Sequence, residues 1–186
     1  MTEATPRWQM LAFVACCIYS AAAIATSWIN TAHNSDTVLQ SFISIHKWTP
    51  YYWEENRFGM LVPALAAPIR AWGWNLLVQM FLIAGSGLGC LYLTARLTGS
   101  TRLQAQSGTP LIFAVVLLIF RPGAALVLLL SSTYLPPLFL MLAALRVWTD
   151  QGTARLPLRV AGFVFLLLLS LWINTANVIV VGIAVI

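Results

Sequence analysis

Between Trp8 and Trp28 the chain carries no charged residue, and the same holds from Trp74 to Ala95. At 1.5 Å per helical residue each run can cross the ~30 Å hydrocarbon core of a bilayer, which takes about 20 mostly apolar residues. Nothing else in the sequence constrains the fold as strongly. Only 8% of the chain is charged, against about a quarter of an ordinary soluble domain. Five acids, nine arginines and one lysine cannot cover a water-facing surface of this length, which excludes a soluble globular fold. The 60% hydrophobic content excludes disorder. The net charge of +5 is then an orientation signal in loops rather than a nucleic-acid footprint, and no nucleic-acid partner is expected. The expected fold is all-α: a polytopic transmembrane helix bundle in a lipid bilayer.

Residues 1–186 are expected to form a single transmembrane domain, with spans at about 8–28, 74–95, 103–120, 134–148 and 156–172. Arg121-Pro122-Gly123 halts the third span. Gly85 and Gly89 form a G-x-x-x-G pair in the second, read here as internal helix packing. A sixth apolar run starts at 177 and is unbroken at Ile186, so the sequence is expected to be the N-terminal part of a longer protein. Cys16, Cys17 and Cys90 lie inside apolar runs without metal-ligand spacing and read as small hydrophobes.

Arg7, Arg96, Arg102, Arg146, Arg155 and Arg159 fall at alternate ends of the spans, in short segments. Lys47, Arg57 and Arg70 are spread over the long segment between the first two spans, with Arg121 near the same face. The positive-inside rule therefore places the N-terminus in the cytoplasm and residues 30–73 outside.

This first outer loop holds Asp36, Glu54 and Glu55, both histidines (His33 and His46) and the only lysine, Lys47. Long loops on a rigid scaffold are where reactive groups usually sit. The first half of the loop reads as an amphipathic helix. At 100° per residue from Asp36, the polar Thr37, Gln40, Ser41, Ser44 and Lys47 fall between about 0° and 140°. The apolar Val38, Leu39, Phe42, Ile43 and Ile45 fall between about 180° and 340°, with His46 among them, and Pro50 ends the helix. Such a helix is expected to lie flat on the membrane surface. Asp36 and Lys47 share a side of it but stand ~16 Å apart along it, too far to pair. The run Trp48 to Trp53 suits the headgroup level. Met60 to Ile69, interrupted by Pro63 and Pro68, is too short to span and reads as a second interfacial or re-entrant segment.

A span, an outer loop whose acid follows closely, two juxtamembrane segments and then a train of helices: this arrangement resembles the GT-C superfamily of membrane glycosyltransferases, which use polyprenyl-phosphate-linked sugars. The stretch Asp36-Thr37-Val38-Leu39-Gln40 and the later Pro50-Tyr51-Tyr52-Trp53-Glu54-Glu55-Asn56-Arg57-Phe58-Gly59-Met60 look like the first-loop signature of bacterial members. The break from Arg121 to Ser131 is similar to the family's second outer loop. The likeness covers the N-terminal half of such an enzyme and implies sugar transfer outside the cytoplasm, on the extracytoplasmic face of a bacterial inner membrane. In the family an acid of the first outer loop serves as base toward the acceptor, and Asp36 occupies that place. An attacking hydroxyl must lose its proton to a carboxylate within hydrogen-bond reach. Arg57, Arg121 and Lys47 are the cations available for the departing polyprenyl phosphate. Some members carry paired acids or bind a divalent metal; Glu54 and Glu55 are the adjacent acids that would stand for such a pair, although neighbouring residues point in different directions.

Each residue also has a plainer role open to it: Asp36 as helix cap, Glu54 and Glu55 as solvated loop charges, Arg57 and Arg70 as snorkelling anchors. Two other functions compete with the transferase. A transporter or lipid-linked sugar flippase would place ionisable groups or broken helices near the midplane. A non-catalytic membrane subunit would pack against a partner that carries the activity.

Overall fold

The computed structural model describes residues 7–31, 35–46, 49–52, 55–119, 134–150 and 156–175. The described chain is almost entirely helical: α1 (Arg7–Thr31), α2 (Ser35–His46), α3 (Leu61–Ala66), α4 (Trp72–Leu97), α5 (Arg102–Ile119), α6 (Leu135–Thr149) and α7 (Leu156–Ile173). Between α2 and α3 lies a short antiparallel hairpin, β1 (Tyr51–Tyr52) with β2 (Glu55–Gly59), in a chain whose class is otherwise all-α as expected. The apolar run that begins at 177, the break at 121–131 and Arg155 lie outside the described residues.

Helix α4 is the hub, because its sequence is apolar all round and its neighbours each take one face. Helix α1 lies antiparallel to it: Phe13 meets Tyr92, Ala21 packs with Ala84 and Leu88, and Ala25 packs with Leu76, Met80 and Ile83. Alanines at 21 and 25 let the two backbones approach closely. Val62 of α3 completes the larger cluster and Leu135 of α6 packs against it. Helix α6 and helix α7 form an antiparallel pair, with Trp148 against Phe163 at one end and the Ser170 hydroxyl donating to the Pro137 carbonyl (2.7 Å) at the other.

The α4–α5 connection is written into its residues. Gly99 adopts φ +91°, the left-handed conformation that closes a helix, and the Ser100 N–H returns to the Ala95 carbonyl at 3.0 Å. Two residues later Thr101 and Gln104 form a capping box: the Gln104 N–H donates to Thr101 Oγ1 (3.2 Å) and the Thr101 N–H to Gln104 Oε1 (2.9 Å). One helix is stopped and the next started within a few residues.

Two of the helices, α4 and α7, are long and apolar enough to cross a membrane, with mean hydropathy 1.9 and 2.1 over their best windows. Burial separates α7, though not the more deeply packed α4, from the core helix of a soluble protein. Only 11% of the α7 window is buried, and Leu158 and Phe165 are 70% and 65% exposed. An apolar face left open on this scale suggests a lipid-bilayer environment.

The two glycines of the G-x-x-x-G pair part company. A Cβ on Gly89 would lie 2.5 Å from the Phe139 ring of α6, whereas one on Gly85 meets nothing within 4 Å. Gly89 is thus internal packing and Gly85 is not part of it. Accordingly, Gly89→Ala is expected to destabilise the protein by roughly 1–3 kcal/mol through overpacking, while Gly85→Ala is neutral or gains up to ~1 kcal/mol of helix propensity. Thermal unfolding in detergent checks this, and equal melting temperatures for the two variants would contradict the α4–α6 packing.

Candidate functional site

Asp36 stands in the first turn of α2, and Glu55 and Arg57 in β2; the side chains of all three lie outside what the structure describes. Lys47, Glu54 and Arg121 lie outside the described residues altogether. The described part of the first loop is the frame along which all of these except Arg121 are placed, and it is built around one amide.

Asn75 sits in the first turn of α4 and is fully buried. Its Nδ2 donates to the Ala66 carbonyl (2.9 Å), the Ile69 carbonyl (3.0 Å) and Ser44 Oγ (3.0 Å). Its Oδ1 accepts from Ser41 Oγ (2.9 Å) and Gln79 Nε2 (2.7 Å). Ser44 Oγ in turn donates to the Pro63 carbonyl at 2.7 Å. One side chain thereby joins α2, α3, the α3–α4 connection and the next turn of α4. Two hydrogens serve three acceptors, so one is shared.

The amide orientations follow from this geometry. Turning Asn75 over would set its oxygen against two carbonyl oxygens, so the nitrogen must face Ala66 and Ile69. Oδ1 then faces Ser41 and Gln79, and Gln79 must present its NH₂ group. That leaves Gln79 Oε1 buried without a hydrogen-bond partner among the described residues.

The network reverses the expectation for α2. Gln40, Ser41 and Ser44 are buried together with Ile43, while Phe42 is 48% exposed and His46 lies open with its ring 4.3 Å from that of Phe42. The helix does not lie flat with its polar side to water; it packs that side against α4. Its polar groups find partners there, whereas Phe42 is left facing outward. α3 likewise packs inward, burying Val62, Pro63 and Ala66. Arg70, read as an interface anchor, donates from its guanidinium to the Ile45 carbonyl in the last turn of α2, where a cation also meets the negative end of the helix dipole.

The hairpin is seated on α7. A Cβ on Gly59 would fall 2.8 Å from both the ring and the carbonyl oxygen of Trp172, so the strand approaches that closely only because residue 59 is glycine. The Tyr51 ring meets Trp172 edge-on, with centroids 6.3 Å apart, and the Met60 N–H closes the hairpin base on the Pro50 carbonyl at 3.1 Å. β2, which carries Glu55 and Arg57, is therefore fixed against the end of α7.

Asn75, Gln79 and Trp172 carry no role in the sequence pattern, and Ser41 and Ser44 appear there only as part of the polar side of α2. The signal was present in α4: two amides four residues apart in an otherwise apolar run, a placement that demands partners. Among the described residues no three His, Cys, Asp or Glu side chains gather where they could hold a metal ion.

No family model matches the chain, and no curated protein or solved structure is similar to it.

Replacing Asn75 by Leu strands the Ser41 hydroxyl, the Gln79 NH₂ and the Ile69 carbonyl, at ~1–3 kcal/mol each where burial persists. Asn75→Leu is therefore expected to cost at least about 3 kcal/mol in detergent unfolding. Gln79→Leu removes an acceptor that already lacks a partner and should fall within about 1 kcal/mol of the parent. A Gln79→Leu loss as large as that of Asn75→Leu would show that the amide orientations are wrong.

Proposed function

We propose that this chain is a polytopic integral membrane protein of the bacterial inner membrane, N-terminus inside, that transfers a sugar from a polyprenyl-phosphate donor to an acceptor on the extracytoplasmic face. The observation that carries the reading is the way the first loop is built in. The segment that concentrates the acids and cations is held by buried hydrogen bonds to α4 and seated by Gly59 on Trp172. A surface loop of no chemical consequence has no need of such anchoring. A transferase does, because its base, acceptor and leaving group must be held in one geometry. The sequence resemblance to GT-C enzymes supplies the reaction class, and the exposed apolar faces of α1 and α7 support the bilayer setting.

In this reading Asp36 takes the proton from the acceptor hydroxyl as its oxygen attacks the anomeric carbon. The bond from that carbon to the phosphate oxygen breaks, and polyprenyl phosphate leaves with the electron pair. Arg57, Arg121 and Lys47 stabilise the negative charge on the departing phosphate, the arginines through two-point contact. Glu54 and Glu55 supply the further carboxylates of the site. The residues described in the structure act as scaffold: α2 carries Asp36, and β2 carries Glu55 and Arg57.

One observation favours a second reading. Uncharged amides buried in an apolar helix, as at Asn75 and Gln79, also occur along the pathways of transporters. It ranks below the transferase because most of their hydrogen bonds are spent on α2 and α3 rather than on a cavity. Flux of a lipid-linked sugar into sealed vesicles, without transfer, would reverse the order.

Asp36→Asn keeps size and hydrogen bonding but cannot accept the proton. With the purified protein in proteoliposomes and a radiolabelled polyprenyl-phosphate sugar, it is expected to lower turnover by about 10²–10⁴-fold. Turnover equal to that of the parent would remove Asp36 from the mechanism.

A further inference from the structure

We propose that Asn75 is a positioning residue for Asp36: it fixes the roll of α2 about its own axis and so decides which side of that helix position 36 presents. The part played by Asp36 rests on the transferase reading; the fixing of the helix does not. A helix held by apolar contact alone is free to roll, since that attraction has no direction. Hydrogen bonds do have direction.

Two serines of α2, three residues apart, engage opposite ends of the same amide, Ser41 giving to Oδ1 and Ser44 receiving from Nδ2. Ser44 also gives to the Pro63 carbonyl. The amide itself cannot follow a rolling helix, because the carbonyls of Ala66 and Ile69 clamp it from outside α2. A roll of one residue, ~100°, would break all three α2 bonds in one motion. Arg70 at the Ile45 carbonyl holds the far end of the helix against sliding.

Asp36 belongs to this rigid unit, four residues before Gln40 and eight before Ser44. Positions spaced by four lie along one side of a helix. Gln40 and Ser44 are buried, Ser44 in its bond to Asn75 of α4, and Phe42 and His46 mark the opposite, open side. The amide at 75 therefore assigns position 36 to the α4 side, about one and a half turns of helix from Ser41, the nearer of the two serines that the amide bonds. A base displaced by about 1 Å costs on the order of 10²-fold in rate, so control of the roll is control of turnover.

The test reads the roll directly. Single cysteines at 36, 38, 39, 42, 45 and 46, in a background with Cys16, Cys17 and Cys90 changed to Ala, carry a spin label in proteoliposomes. Oxygen accessibility along the helix is expected to oscillate with a period near 3.6 residues, highest at 42 and 46 and low at 36. In Asn75→Leu the oscillation should shift in phase or flatten. Ser41→Ala/Ser44→Ala/Asn75→Leu, which leaves fewer stranded polar groups, serves the same purpose should the single variant not fold. In the otherwise unlabelled protein, the same variants should lower kcat at least ~10-fold with the donor KM within about 2-fold. An oscillation unchanged in phase and depth would overturn the proposal, as would a lost oscillation with kcat intact. Loss of the oscillation in a protein whose parent transfers no sugar would sink the transferase reading and leave the fixing of α2 standing.

Discussion

A carboxamide inside an apolar helix must be satisfied by something other than water, and in this chain that demand falls on Asn75. Leaving a buried amide group unpaired costs on the order of 1–3 kcal/mol. Each of its hydrogen bonds therefore pulls a different piece of backbone toward α4. The two serines bring α2, the Ala66 and Ile69 carbonyls bring the end of α3 and the turn that follows it, and Gln79 locks the amide from within α4. The first loop is long, yet both of its described helices converge on a single side chain. The hairpin has an anchor of its own, its seat on Trp172.

The helices were legible because length and hydropathy suffice to mark a long apolar run, and α1, α4, α5, α6 and α7 begin or end within a few residues of the runs' limits. Helix α2 was legible in a more limited sense. Angular arithmetic separates its polar from its apolar side, but it is silent on which side meets the rest of the protein. That depends on the surrounding medium and on what the neighbouring helix offers. Against water the polar side would face outward. Here Asn75 and Gln79 offer hydrogen bonds, and Phe42 is turned away from the core instead. Taken without the two amides of α4, the pattern of α2 gives the right faces and the wrong direction.

The hairpin was hidden for a different reason. Two residues paired with five, through an irregular register, leave no alternation to detect. The aromatic content of that stretch was visible, and its reading as a headgroup belt took no account of Trp172, more than a hundred residues later in the chain. Gly59 looked like any loop glycine until the indole lay against it. Of the candidate reactive residues, the structure fixes the backbone of Asp36, Glu55 and Arg57, while Lys47, Glu54 and Arg121 stay beyond the described residues.

The seat of the hairpin bears on the order in which the protein is made. Tyr51 and Gly59 emerge from the ribosome long before Trp172, and the surface on which they settle does not exist until α7 has been synthesised and has paired with α6. Junctions within the first hundred residues, such as Ser41 with Asn75, can close while translation continues. The loop therefore matures in two stages separated by the synthesis of roughly a hundred residues, and its second stage waits for the last described helix to arrive.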